Sequence, residues 1–230
     1  MNIQGLQKTT LLDFPGHVAA TIFVSGCNFR CPFCHNMNLV LSKDMPVYSS
    51  EEIFTFLKKR QGILDGICIT GGEPTLYKDL PDFIRSVRSL DYKIKLDTNG
   101  SDPDMLNFLL SSHLVDYVAM DVKSSISEYN RITDTPNLNT GNILRSINIL
   151  NSSDMDHEFR TTFIKDFHTP EVISSIGLML KGSPKYFIQS FKDSDFVPDH
   201  NLTAFTKEEL QSIRSQLLEY ISSVEIRGVD

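Results

Sequence analysis

The sequence contains no long apolar run: residues 18–24 form the strongest such stretch near the start, far too short to cross a bilayer. No cationic segment precedes it, since the chain opens Met1-Asn2-Ile3-Gln4, and no signal peptide is expected. Basic residues are in the minority, with Lys plus Arg at 22 against Asp plus Glu at 29, a formal net charge of −7. Without a basic run, an acidic chain is a poor ligand for nucleic acid or an anionic membrane, and neither is expected as a partner. Internal repeats, low-complexity tracts and linkers rich in Pro, Gly or Ser are absent as well. Cysteine is scarce: Cys27, Cys31, Cys34 and Cys68 are the four, three of them within eight residues. A disulfide framework would spread and pair its cysteines in a secreted chain, so clustered thiols here read as metal ligands. At 230 residues, 40% hydrophobic and 22% charged, the chain resembles ordinary globular proteins and is long enough for one domain with a sizeable core. A soluble cytoplasmic protein is expected.

Short β-rich runs alternate with amphipathic ones. Strands are expected at 18–24, 66–70, 92–98, 115–122, 158–164, 186–190 and, at the end, 224–227. Helices are expected at 49–59, opened by the capping box Ser49-x-x-Glu52, and at 80–90, 103–111, 140–150, 170–180 and 207–222. Such alternation implies parallel βαβ units with right-handed crossovers. About six units fit, fewer than the eight of a closed barrel. The expectation is a single α/β domain, a partial (βα)6 TIM-like barrel open on one side, with a doubly wound sheet as the alternative. Residues 1–16 form an N-terminal segment, 17–190 the partial barrel, and 191–230 a C-terminal loop, helix and short strand. In either fold the chemistry belongs at the carboxyl ends of the strands. There stand the cysteines, then Gly71-Gly72-Glu73, then Asp97-Thr98-Asn99-Gly100, then Asp121-Val122-Lys123.

The cysteine spacing is Cys27-x3-Cys31-x2-Cys34. Thiolates suit zinc or iron–sulfur clusters. A closed zinc site needs four ligands, and His35, next to Cys34, is badly placed to turn back onto the same metal. Cys68, between Ile67 and Ile69, reads as core packing. Three thiolates on a four-iron cluster leave one iron to bind something else. In this the sequence resembles the radical S-adenosylmethionine superfamily, with its CxxxCxxC motif, a [4Fe–4S] cluster and an aromatic, here Phe33, before the third cysteine.

Gly71-Gly72-Glu73 on its own reads as a tight turn with a solvated Glu. In its place after the cysteines it is similar to the family's GGE motif, which implies that Gly71, Gly72 and Glu73 receive the amino group of S-adenosylmethionine. Asp97, Asp121 and Lys123 read alone as structural ion pairs. The segments LDTNG and MDVK look like those of glycyl-radical activating enzymes, where the aspartates help build a monovalent-cation site near the cofactor carboxylate. That implies cation donors Asp97, Thr98, Asp121 and the Ala119 carbonyl, an active-site Lys123, and an Arg160 that reaches the cofactor. Arg160 taken alone is equally a surface strand arginine. Gln189 ends a strand and is a weaker candidate for the same pocket, while His113, His157, His168 and His200 lack motif support and are expected in loops.

The start of the chain narrows the branch. Asp13-Phe14-Pro15-Gly16, followed by Gly26-Cys27-Asn28-Phe29-Arg30-Cys31-Pro32-Phe33-Cys34-His35-Asn36, resembles glycyl-radical enzyme activases, most of all those of anaerobic ribonucleoside-triphosphate reductase. The resemblance implies an oxidoreductase that reductively cleaves S-adenosylmethionine and removes hydrogen from a glycine of the partner reductase. Asp13 would then meet the partner's glycine loop, although a plain β-turn aspartate reads equally well. Many activases carry further cysteines in a ferredoxin-like insert; four in total leave none for a second cluster, so flavodoxin or ferredoxin is implied as the donor. The alternatives are an activase for another glycyl-radical enzyme such as pyruvate formate-lyase, a small-molecule radical enzyme such as a deazaguanine synthase, or a non-enzymatic zinc-stabilised or iron–sulfur electron-transfer module.

Overall fold

Strands and helices alternate almost without interruption in the computed structural model, which describes residues 1–42 and 46–229. The strands are β1 (Ile3–Thr10), β2 (Ala19–Val24), β3 (Gly66–Gly71), β4 (Lys93–Thr98), β5 (Tyr117–Asp121), β6 (His157–Phe163), β7 (Tyr186–Ser190) and β8 (Val224–Arg227). The helices are α1 (Met37–Leu41), α2 (Ser50–Arg60), α3 (Leu80–Arg88), α4 (Pro103–Ser111), α5 (Tyr129–Ile132), α6 (Thr140–Asn151), α7 (Pro170–Met179) and α8 (Lys207–Leu217). The sheet order is β1 to β8 in sequence, with β1 antiparallel to β2, and β2–β3–β4 and β6–β7–β8 parallel. A doubly wound sheet would reverse its order at a switch point. This order never does, and each of β2 to β7 is followed by helix, which is the pattern of a partial (βα)6 barrel. No helix among the described residues is long and apolar enough to cross a membrane.

Local chemistry sets the helix starts. Ser49 and Glu52 form the expected capping box on α2, and Thr206 with Glu209 forms a second on α8. Pro81, Pro103 and Pro170 stand in first turns, where a missing N–H costs nothing. α8 stops at Leu217, short of the expected 222, and the Tyr220 carbonyl beyond it accepts from Gly182 N–H (3.0 Å).

Strand β1 is an addition to the sequence reading of residues 1–16. Only Ile3 and Thr10 are buried along it, so it lacks the alternation that marks a strand, and Gly5 rests against the Phe23 ring.

Contacts are densest within two units. The first comprises Met1–Asn28, Asn38–Thr98 and Asp102–Ala119. In it Ala19 pairs with Gly66 and Gly66 with Lys93, so the strands start level. Phe14 is buried at these amino ends with Ala19, Tyr117 and Ala119. Gly66 makes the room: a Cβ there would stand 2.7 Å from the Phe14 ring. The second unit comprises Phe29–Met37, Asn99–Ser101 and Met120–Asp230. Here Arg227 of β8 makes two hydrogen bonds to the buried Glu158 of β6 (2.8 and 3.2 Å), its guanidinium lying 3.2 Å over the Phe187 ring of the intervening β7. That staple ties the end strand to the sheet.

Candidate active site

In the first unit, the segment before Cys27 is laced to the Gly71-Gly72-Glu73 turn. Gly72 N–H donates to Val24 O (2.7 Å), Glu73 N–H to Gly26 O (2.8 Å) and Tyr77 Oη–H to Ser25 O (2.8 Å). Gly71 has φ +115°, and a Cβ on Gly72 would fall 1.9 Å from Gly26 O. The glycines therefore serve first to let two loops of the chain itself touch, placing Cys27 beside the turn. Glu73, 1% exposed, accepts at Oε1 from Thr75 N–H (3.1 Å), Thr75 Oγ1–H (2.6 Å) and Thr98 Oγ1–H (2.7 Å). The carboxylate thus caps the short 3-10 turn Pro74–Leu76 and ties it to the end of β4.

Strand alternation separates Asp97 from Thr98. Thr98 faces Glu73, whereas Asp97 shares its face with Lys95, and the two form an ion pair. Lys95 was absent from the sequence reading, although a lysine two residues before an aspartate on a strand must share its face. Asp13 lies toward the amino end of β2, its Oδ2 accepting from Thr21 Oγ1–H (2.5 Å), with exposed Leu11 and Leu12 beside it. Cys68 is fully buried, as expected of a core residue, and its Sγ also lies 3.8 Å from Lys95 Nζ.

In the second unit, the loop 29–37 carries Cys31 and Cys34 and is anchored on three sides. Arg30 N–H donates to Thr133 O (2.8 Å), Asp199 N–H donates to Pro32 O (3.1 Å), and the His35 ring bonds Lys192 O through Nε2 (2.7 Å). Phe33 is buried against Phe167, and Phe29 against Tyr129. Side by side in the same unit, Arg160 Nε donates to Asp121 Oδ1 (2.7 Å) and Lys123 Nζ donates to Asp121 Oδ2 (3.0 Å). Burial alone would raise the Asp121 carboxyl. The Arg160 guanidinium and then the Lys123 ammonium outweigh it and hold the group far below the usual carboxylate range. Burial alone would lower Lys123; the negative charge of Asp121, and then that of a Cys31 thiolate, hold it above the usual ammonium range. Lys123 is thus a fixed positive charge facing the cysteine loop.

Two residues that sequence reasoning passed over fix the backbone of Lys123. Its N–H donates to Tyr129 Oη (3.1 Å), and its C=O accepts from His168 Nε2–H (3.0 Å). His168 Nδ1 lies between Ile164 N–H (3.0 Å) and Ile164 O (3.1 Å), while Nε2 carries the proton given to Lys123 O; burial lowers the ring's pKa and so favours its neutral form. Gln189 ends β7 opposite Thr162, whose Oγ1–H donates to Gln189 Oε1 (3.4 Å). His113 and His200 lie in loops, as expected, but His157 opens β6 and is buried, its ring held by Met155 O and Asn151 Oδ1.

None of the four cysteines is joined in a disulfide. Among the described residues no three His, Cys, Asp or Glu side chains converge on the position of a single metal ion. Cys31 and Cys34 stand in one anchored loop and Cys27 four residues earlier in the chain; three soft thiolates suit a cluster with an open iron, and a closed mononuclear site would need a fourth ligand.

The model of the radical SAM superfamily matches residues 21–175. This fold and cysteine loop define a protein of that class, for which a [4Fe–4S] cluster and S-adenosylmethionine are implied. A Methanocaldococcus jannaschii protein named as a glycyl-radical enzyme activating enzyme is 31% identical over 235 residues, covering 99% of this chain and 96% of its own. A domain of the pyruvate-formate lyase-activating enzyme from Bacteroides vulgatus shares the fold at TM-score 0.58 and 18% identity, over 71% of this chain and 99% of its own. SuiB of Streptococcus suis, solved with S-adenosylmethionine, does so at TM-score 0.69 and 13% identity, over 89% of this chain and 49% of its own. The chain belongs to the glycyl-radical enzyme activating family of radical SAM proteins.

Proposed function

We propose that this protein activates an anaerobic ribonucleoside-triphosphate reductase in the cytoplasm, receiving electrons from flavodoxin or ferredoxin. The observation that carries the activase reading is the 31% identity running through 99% of the chain. The DxPG element and the cysteine-loop sequence from Gly26 to Asn36 favour the reductase branch. When bound, the cluster, once reduced by the external donor, would supply one electron to cleave the sulfonium C–S bond of S-adenosylmethionine, releasing methionine and letting the adenosyl carbon take a hydrogen atom from the partner's glycine.

The chain's own residues bind and orient. Cys27, Cys31 and Cys34 hold the cluster, and Phe33, packed on Phe167, stiffens the loop between them. Gly71, Gly72 and Glu73 receive the amino end of the cofactor. Asp97, Asp121 and Arg160 form its polar rim. Lys123, held protonated by Asp121, acts through its charge and exchanges no proton near neutral pH. Asp13, next to the exposed Leu11 and Leu12, meets the partner.

The test mixes the cluster-loaded protein, S-adenosylmethionine and a reductant with the reductase, and separately with pyruvate formate-lyase, under anaerobic conditions. Electron paramagnetic resonance should report a glycyl radical on the reductase. A radical on the lyase alone would keep the chemistry and replace the partner.

A further inference from the structure

The resemblance calls for a monovalent cation between Asp97 and Asp121, yet both carboxylates are bonded to cations of the chain itself. Lys95 stands in the middle of β4 and is 2% exposed. An ammonium so deeply buried is strongly disfavoured unless a carboxylate faces it. Its Nζ is paired with Asp97 Oδ1 and lies 3.8 Å from Cys68 Sγ, so the cation is built into the strand below the aspartate. Thr98, the second side-chain donor expected of a cation site, points to the opposite face of β4 and donates its hydroxyl proton to Glu73 (2.7 Å). Asp121 has one oxygen on Arg160 (2.7 Å) and the other on Lys123 (3.0 Å). In the first unit a cation of the chain already answers Asp97; in the second, two answer Asp121, and a further cation there would meet net positive charge. An anion such as a ligand carboxylate would meet attraction.

We infer that the Lys95 ammonium stands in for a monovalent metal cation as the counter-charge of Asp97, so that S-adenosylmethionine binding by this chain does not depend on sodium or potassium. The binding half rests on the activase reading; the counter-charge half rests on β4 alone.

The test uses the full chain with its cluster reconstituted. Its affinity for S-adenosylmethionine is measured in sodium, potassium and choline chloride at equal ionic strength, alongside its melting temperature in each salt. Affinities agreeing within about twofold, well inside the tenfold that 1.4 kcal/mol represents, are expected, together with equal melting temperatures. Affinity weaker in choline by roughly tenfold would overturn the inference. So would a melting temperature that rises with sodium or potassium over choline. In Lys95→Met, Asp97 loses the ammonium that faces it on β4. That variant should bind the cofactor about tenfold more weakly in choline and recover in sodium or potassium. Unchanged, salt-independent binding in Lys95→Met would also refute the role. If Lys95→Met does not fold, the wild-type comparison decides alone. A chain that binds no S-adenosylmethionine in any salt would sink the activase reading, and the melting comparison would then still decide the counter-charge.

Discussion

Gly72→Ala is the smallest substitution that separates the two loops around Cys27. The new Cβ would stand 1.9 Å from Gly26 O and 2.6 Å from Gly26 C, both backbone atoms, so no side chain can rotate away. Relief requires the Gly71–Glu73 turn to withdraw from residues 24–26, stretching the hydrogen bonds Gly72 N–H to Val24 O (2.7 Å) and Glu73 N–H to Gly26 O (2.8 Å). Two such bonds contribute about 1 kcal/mol each, and overpacking costs about 1–3 kcal/mol more. The total, about 3–5 kcal/mol, is a large part of a typical domain's stability. In a chain of this size it lowers the melting temperature by about 10 °C. Iron content should fall with it, because Gly26 directly precedes Cys27. Gly62→Ala is the control: φ is +75° there but nothing lies within 4 Å of the added Cβ, so only about 1–2 kcal/mol of backbone strain is expected, with full iron. Circular dichroism melts and iron analysis on anaerobically prepared protein read both effects. A Gly72→Ala protein that melts within about 2 °C of wild type with its iron intact would refute the reasoning.

Cys31→Ala should abolish the cluster's visible absorbance, since two thiolates then remain in the loop, and a fully coloured variant would remove this loop from the account. Cys68→Ala should keep the absorbance but lose about 1–3 kcal/mol, the cost of a small buried truncation that also takes a partner from Lys95; loss of iron there would make Cys68 a ligand. Stability should fall as pH drops below about 6.5, the ordinary histidine value, because the unfolded chain then takes up a proton that His168 refuses in the fold. The loss is complete below the lowered folded pKa, and His157, also lowered by burial, adds the same sign. His168→Asn should flatten denaturation midpoints between pH 5 and 6.5, and an unchanged slope would show that His168 does not carry the dependence.

Much of the fold was legible because its strands are apolar runs separated by amphipathic helices with caps. Ser49 with Glu52 set one boundary in advance; Thr206 with Glu209 carried the same signal and was overlooked. Strand β1 was not legible, since an end strand with polar residues on it has no period to detect. The positions of Cys27, Glu73, Asp97, Asp121 and Lys123 followed from the rule that polar groups close apolar strands. Their partners did not. That Thr98 turns to Glu73 and Asp97 to Lys95 follows from alternation along β4, a local argument the motif concealed. Tyr129 and His168 reach the Lys123 backbone from 6 and 45 residues away, and that distance leaves no trace in spacing. The paired glycines illustrate a third case: their residue type announced a close approach, but the approaching group is Gly26 of the same chain.

The origin of the hydrogen atom taken up by 5′-deoxyadenosine tests the proposed activity most directly. A partner reductase labelled with α-deuterated glycine, mixed anaerobically with the reduced, cluster-loaded protein and S-adenosylmethionine, should pass one deuterium into 5′-deoxyadenosine while a glycyl radical appears on the reductase. 5′-Deoxyadenosine formed without deuterium, with no radical on the reductase, would contradict hydrogen abstraction from that partner's glycine.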